Sequence, residues 1–131
     1  MKNQIYVNLP VKDLKRSTGF FERLGFHLNS QFSNDQASCV VLAENIFAML
    51  LVESFFKTFT DKPISDATKS TEVLVCLSCQ SRAQVDELVK KAVAAGGQSP
   101  RQPQDHGSMY GHGFEDLDGH VWELIYMEEA Q

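Results

Sequence analysis

The residues able to do chemistry gather in the last half of the chain. In the run Val121-Trp-Glu-Leu-Ile-Tyr-Met127, strand alternation puts Val121, Glu123 and Ile125 on one face, and His120, Trp122, Leu124 and Tyr126 on the other. Both faces are mostly apolar, so the strand should be covered on both sides. A carboxylate in such a place costs free energy unless it is hydrogen-bonded or paired. Glu123 is therefore a ligand, a general base or an anchor for a polar substrate group, or else an internal acid bonded to Tyr6 or Asn8. His112 sits in Gly111-His-Gly113, at a strand entry that could line the mouth of a cleft. An imidazole titrates near neutrality, which makes His112 the candidate for proton transfer, with a plain turn histidine as the alternative. His106 and His120 need no functional reason, since polar residues belong in turns.

Cys76-Leu-Ser-Cys79 has the C-x-x-C spacing. A redox pair places its first cysteine at a helix N-terminus, where the dipole lowers the thiol pKa. Cys76 instead lies inside the apolar run Val73 to Cys79, and a zinc ribbon would need a second pair. The expectation is two buried, structural thiols on opposite strand faces.

These residues need elements to hold them. Ile5, Val7, Leu9 and Val11 alternate with Tyr6, Asn8 and Pro10, which reads as a half-buried strand with Tyr6 and Asn8 on its polar face. A helix follows, capped by Asp13, carrying Leu14, Phe20, Phe21 and Leu24, and stopped by Gly25. Three strand-like runs come next: Phe26 to Phe32, Ala37 to Leu42 and Ile46 to Glu53. The segment from Lys57 to Ser70 reads as a connector, with one helical turn over Glu53 to Phe59. Phe55, Phe56 and Phe59 there suit an aromatic lid, a partner contact or local core. The order then restarts. Glu72 to Cys79 is a strand, Gln84 to Ala95 a helix ended by Gly96-Gly97, and a short strand lies near Gln98. A Pro-rich loop follows over Ser99 to Asp105, then Tyr110 to Asp116 and Val121 to Met127 pair through a turn at Asp118-Gly119. The fold class is α+β: two βαβββ modules, 1–56 and 71–131 with connector 57–70, forming a single domain. Their curved, mixed eight-stranded sheet would surround a cleft.

The chain has 131 residues with 12 basic and 17 acidic side chains, a net charge of −5. Phosphate neutralisation needs a basic surface, so nucleic acid is excluded as the expected partner. No stretch approaches the ~20 apolar residues that span a bilayer, so no membrane partner is expected either. The start, Met1-Lys-Asn-Gln4, runs straight into a strand without the apolar core of a signal peptide. With three cysteines and no mark of secretion, reduced thiols in the cytoplasm are expected.

Two segments resemble the vicinal oxygen chelate superfamily of glyoxalases, extradiol dioxygenases and bleomycin-binding resistance proteins. The first is Tyr6-Val-Asn-Leu-Pro-Val-Lys-Asp-Leu-Lys-Arg-Ser-Thr-Gly-Phe-Phe-Glu-Arg-Leu-Gly-Phe26, similar to the family's opening strand, helix and L-G-F stop. The second is Gly113-Phe-Glu-Asp-Leu-Asp-Gly-His-Val-Trp-Glu-Leu124, similar to its D-P-D-G-H-x-x-E-L closing hairpin. The resemblance implies a divalent metal held from the first, fourth, fifth and eighth strands. Carried over position by position, Glu123 matches the last-strand carboxylate. Tyr6 stands at the first-strand histidine, Leu74 at the fifth-strand histidine, and Leu50 or Leu51 at the fourth-strand carboxylate, with Glu53 nearby. A leucine offers no lone pair, and a phenol is a poor ligand at neutral pH.

The expected function is binding of a small aromatic or cationic molecule without the usual metal site. Glu123 and His112 are the candidate catalytic residues, and Tyr6, Asn8, Leu74, Phe56 and Trp122 the candidate ligand contacts. The alternative is a metal-dependent glyoxalase-like lyase or dioxygenase using Glu123 with unconventional ligands. The resemblance also implies a homodimer.

Overall fold

A computed structural model describes residues 3–128; Met1 and Lys2, part of the N-terminal reading above, lie outside them. The described residues divide into two compact units, which meet in sequence between Asp66 and Ala67. Each unit follows the order strand, helix, then three strands, and each holds one four-stranded mixed sheet. The α+β expectation of two βαβββ modules is met.

In the first unit, β1 (Ile5–Val11) runs parallel to β4 (Ile46–Val52), which pairs antiparallel with β3 (Ala37–Ala43), and β3 with β2 (His27–Leu28). The helix α1 (Leu14–Arg23) starts where the Asp13 side chain accepts from the Arg16 N–H (3.2 Å). It ends at Gly25, whose φ of +102° is one that only glycine adopts without strain. Phe20 and Phe21 of α1 are buried with Leu9, Val11, Val40, Ala48 and Leu50 of the sheet. Each such aromatic contributes roughly 2–3 kcal/mol of apolar burial.

The strand expected over Phe26 to Phe32 stops after two residues. The Asn29 side chain accepts from the Gln31 N–H (3.1 Å) and caps a short 3₁₀ turn, Ser30–Phe32. Local side-chain bonding of this kind competes with the strand ladder. The helical turn expected after β4 is present as α2 (Glu53–Phe56) and a 3₁₀ turn, Lys57–Phe59, in which Phe55 and Phe59 meet edge to face.

The second unit repeats the order. β5 (Leu74–Ser78) runs parallel to β8 (Val121–Met127), which pairs antiparallel with β7 (Met109–Glu115). The fourth strand is a correction. Gln98 makes only an isolated bridge to Glu115, and β6 is Gln104–Asp105, inside the expected Pro-rich loop. The helix α3 (Arg82–Ala94) is capped by Ser81, which accepts from the Gln84 N–H (3.0 Å), and buries Val85, Leu88, Val89 and Ala92. Phe114 and Trp122 stack 6.2 Å apart in the core beside Leu124. The β7–β8 turn is tied by buried Asp116, whose carboxylate accepts from the Asp118 and His120 N–H groups and the Trp122 Nε1–H, each at 3.0 Å. Gly119 in that turn has φ +88°, and a Cβ there would stand 2.9 Å from the Ala67 backbone.

Candidate functional site

The register of the second sheet decides what faces what. Across β5, β8 and β7, Leu74, Val121 and Glu115 form one row; Cys76, Glu123 and Gly113 the next; Ser78, Ile125 and Gly111 a third. These rows share one face, because alternation sends Tyr110, His112, Phe114, Trp122 and Leu124 to the other. A cavity of about 510 Å³ lies over the first face. Glu123, Val121, Ile125, Gly111 and Gly113 line it, with Leu74 to one side and Arg101, Gln102, Gln104 and His106 around the rim.

The rim is held in place by α3. Arg82 pairs with Asp105 (2.8 Å), donates to the Gly107 carbonyl, and lies 5.3 Å above the Tyr110 ring. The Gly107 N–H and the Arg82 guanidinium hold the Asp105 carboxyl below its ordinary range. The Tyr110 hydroxyl donates to Asp86 on α3, and that neighbour pushes the phenol above its ordinary pKa.

Glu123 is half-buried, and among the described residues no hydrogen bond or ion pair engages its carboxylate. The expectation that its strand is covered on both faces holds on the α3 side alone: Trp122 and Leu124 are buried, while Val121, Glu123 and Ile125 are half-buried on the cavity side. Leu74 is 59% exposed at the edge strand beside it.

His112 borders the cavity but is not positioned to work with Glu123. Its Nε2 lies 2.8 Å from the Arg101 carbonyl and 3.1 Å from the Ser99 hydroxyl, which itself donates to the Gly113 carbonyl (2.8 Å). With Ser99 donating elsewhere, Nε2–H is the donor shared by both oxygens, and the ring fastens the Ser99–Arg101 loop to the sheet. Trp122 is 1% exposed beneath the sheet and bonded to Asp116, so it does not share the face with Glu123.

Tyr6 and Asn8 belong to the first unit. The Tyr6 ring stacks on Phe47 (4.8 Å) and its hydroxyl donates to Gln4 (2.9 Å), while the Asn8 amide donates to the Tyr6 carbonyl (3.4 Å). Phe56 is half-buried on α2 in the same unit. Leu51 pairs with Pro10 on the Tyr6 face of that sheet, and Leu50 pairs with Leu9 on the α1 face.

The thiols differ from expectation. Cys76 is exposed on the Glu123 face and Cys79 is half-buried; Cys39 is the buried one. Burial and then the Glu123 carboxylate push the Cys76 thiol up; burial, then Cys76, does the same to Cys79. Along β5 coverage alternates: Val75 and Leu77 are half-buried, while Leu74, Cys76 and Ser78 are exposed on the other face. Sequence reasoning also passed over Gly111 and Gly113 as part of the site, although the G-x-G spacing places two missing side chains on one strand face.

The sequence profile of the glyoxalase/bleomycin resistance protein/dioxygenase superfamily matches residues 4–124. The chain belongs to this superfamily. No curated protein matches it. Among solved structures, a hypothetical protein from S. aureus is 29% identical, with TM-score 0.79 over 96% of this chain and 95% of that one. A superfamily enzyme from Burkholderia phytofirmans PsJN is 16% identical at TM-score 0.81, covering 96% and 99%. A fosfomycin resistance protein from Listeria monocytogenes is 20% identical at TM-score 0.68, covering 96% and 93%. The latter two likenesses are of fold.

Members of the superfamily often hold a divalent metal, and the donor set here does not fit one of that kind. The row of Glu123 carries Cys76 and Gly113, and the adjacent row Leu74, Val121 and Glu115. Among the described residues no three histidine, cysteine or acidic side chains converge. A closed divalent site wants three or four nitrogen, sulfur or oxygen ligands, and leucine supplies none.

Proposed function

We propose that this superfamily member binds a small molecule with an apolar body and a cationic or hydrogen-bond-donating group, which Glu123 anchors. One observation carries the reading: a half-buried carboxylate without a protein partner, among the described residues, on the floor of a cavity of about 510 Å³. Val121, Ile125, Met109 and Leu74 offer the apolar surround. Such sites are mostly apolar with a few polar groups that fix orientation. Of the sequence candidates, Glu123 and Leu74 belong to this reading; Tyr6, Asn8 and Phe56 lie in the first unit and are not part of it. A cytoplasmic setting and a homodimer complete the proposal.

The test is calorimetric binding of a panel of protonated arylalkylamines to the wild type and to Glu123→Gln. At least one amine should bind the wild type, and the variant should bind it at least tenfold more weakly while keeping its fold. Equal affinity in the variant, or no binding across the panel, would overturn the assignment. Elemental analysis of protein purified without chelator tests the alternative of a metal-dependent lyase or dioxygenase. Stoichiometric metal lost in Glu123→Gln would replace the binding reading with that one.

A further inference from the structure

Glycine is unfavourable inside a strand, and where it occurs it often marks a close approach of other atoms. Gly113 lies in the middle of β7, and its φ is outside the left-handed region, so its backbone conformation does not call for glycine. Space does. A Cβ added there would stand 3.0 Å from Glu123 Oε1, 3.1 Å from Glu123 Cδ and 2.9 Å from the Trp122 carbonyl oxygen. The Glu123 side chain therefore leans from β8 across β7, over the residue paired with it in the ladder. Gly111 lies two residues away on the same face, and a Cβ there would make only contacts of 3.4 Å, to Ile125 and the Leu124 carbonyl.

We propose that Gly113 is a positioning residue of this site: the space of its missing side chain holds the Glu123 carboxylate and so sets where a ligand's cationic or donor group is bound. The binding role of Glu123 is taken from the reading above. The carboxylate's other neighbour is Cys76, paired with Glu123 from the opposite side on β5. A side chain at position 113 pushes the carboxylate off β7 toward the thiol.

Cys76 therefore reports the carboxylate's position without any ligand. Its alkylation by iodoacetamide, followed by peptide mass across a pH series, gives a midpoint. Glu123→Gln removes the negative neighbour and should lower that midpoint. Gly113→Ala should raise it above wild type, and Gly111→Ala should leave it unchanged. A folded Gly113→Ala variant with the wild-type midpoint would overturn the proposal. If Gly113→Ala is too unstable to titrate, its stability is compared alone and combined with Glu123→Ala. The contact with the Trp122 carbonyl remains in both variants, so a collision with the carboxylate requires the second substitution to recover part of the loss; no recovery would overturn the proposal equally. A failed amine screen with a shifted Gly113→Ala midpoint would overturn only the ligand reading, whereas a wild-type midpoint with amine binding intact would overturn only the role of Gly113.

Discussion

At the level of single residues, Glu123 stands out in the sequence as a lone carboxylate in an apolar strand, and the structure puts it on the face that lines the cavity. The exposure of the thiols was not legible there. The run Val73 to Cys79 is apolar but for Ser78, and period-two reasoning cannot tell an edge strand from a central one. β5 is an edge strand on which only Val75 and Leu77 are partly covered, and Cys76 is exposed on the other face. Cys76 should therefore label in the native protein, slowly near neutral pH and faster as pH rises, since its thiol titrates above the ordinary value. Cys39 should label only after denaturation; native labelling of Cys39 as fast as Cys76 would contradict the packing of β3. Asp116 offers a second test. Either orientation of an amide at this position sets its NH₂ against a donor, the Trp122 indole on one side or two backbone N–H groups on the other. Asp116→Asn should cost about 1–3 kcal/mol, the usual penalty for a buried polar group left unsatisfied. Burial, the largest influence, pushes the Asp116 carboxyl above its ordinary value, while His120, Trp122 and the Asp118 N–H pull the other way. The folded pKa thus exceeds the unfolded one, near 3.9. That contribution is full below the unfolded value and is lost as pH rises through the folded one. Denaturant titrations of wild type and variant should show the gap between them widening as pH falls; a gap that narrows would reverse the assigned direction.

At the level of elements, the helices and the closing hairpin were legible, and the weakest strands were not. Val121 to Met127 is the strand expected, and Asp13, Gly25 and the Gly119 turn act as their residue types suggest. The second strand was expected too long and the sixth in the wrong place, because each is two residues long, too short for periodicity. β6 is fixed by its ladder to β7 and by the Arg82–Asp105 pair, both contacts distant in sequence. The hydrogen bonds of His112 were not legible for a related reason: its partners Ser99 and Arg101 lie in a loop with no pattern to read. The α3 cap is testable. Ser81 satisfies the Gln84 N–H, and Ser81→Ala should destabilise the chain by about 1 kcal/mol. Loss of helix signal should track that change in a thermal melt. An unchanged midpoint would mean that packing of Val85, Leu88 and Val89 alone fixes where the helix begins.

At the level of the whole molecule, the repeat of strand, helix and three strands was the most legible feature, because order along the chain survives even where boundaries shift. Both sheets have the same strand order, first–fourth–third–second. In each, the first strand of the module is an edge, with one row of backbone groups outside its own sheet. Edges of this kind are a liability unless something covers them. Exposed apolar side chains stand at each of these edge strands and at the end of β8, the neighbour of β5. Ile5 on β1 is 55% exposed, Val73 and Leu74 at β5 are 50% and 59%, and Met127 at the end of β8 is 61%. Apolar surface beside an open strand edge marks an association site more often than scattered single residues do. The proposed homodimer gives it a partner of the same composition. Light scattering at micromolar concentration should return twice the chain mass of 14.7 kDa. Leu74→Lys places a charge among these side chains and should shift the population toward monomer while the helix signal stays intact. A wild-type mass of one chain would remove the dimer from the proposed function. A Leu74→Lys variant that stays dimeric would move the interface away from β5.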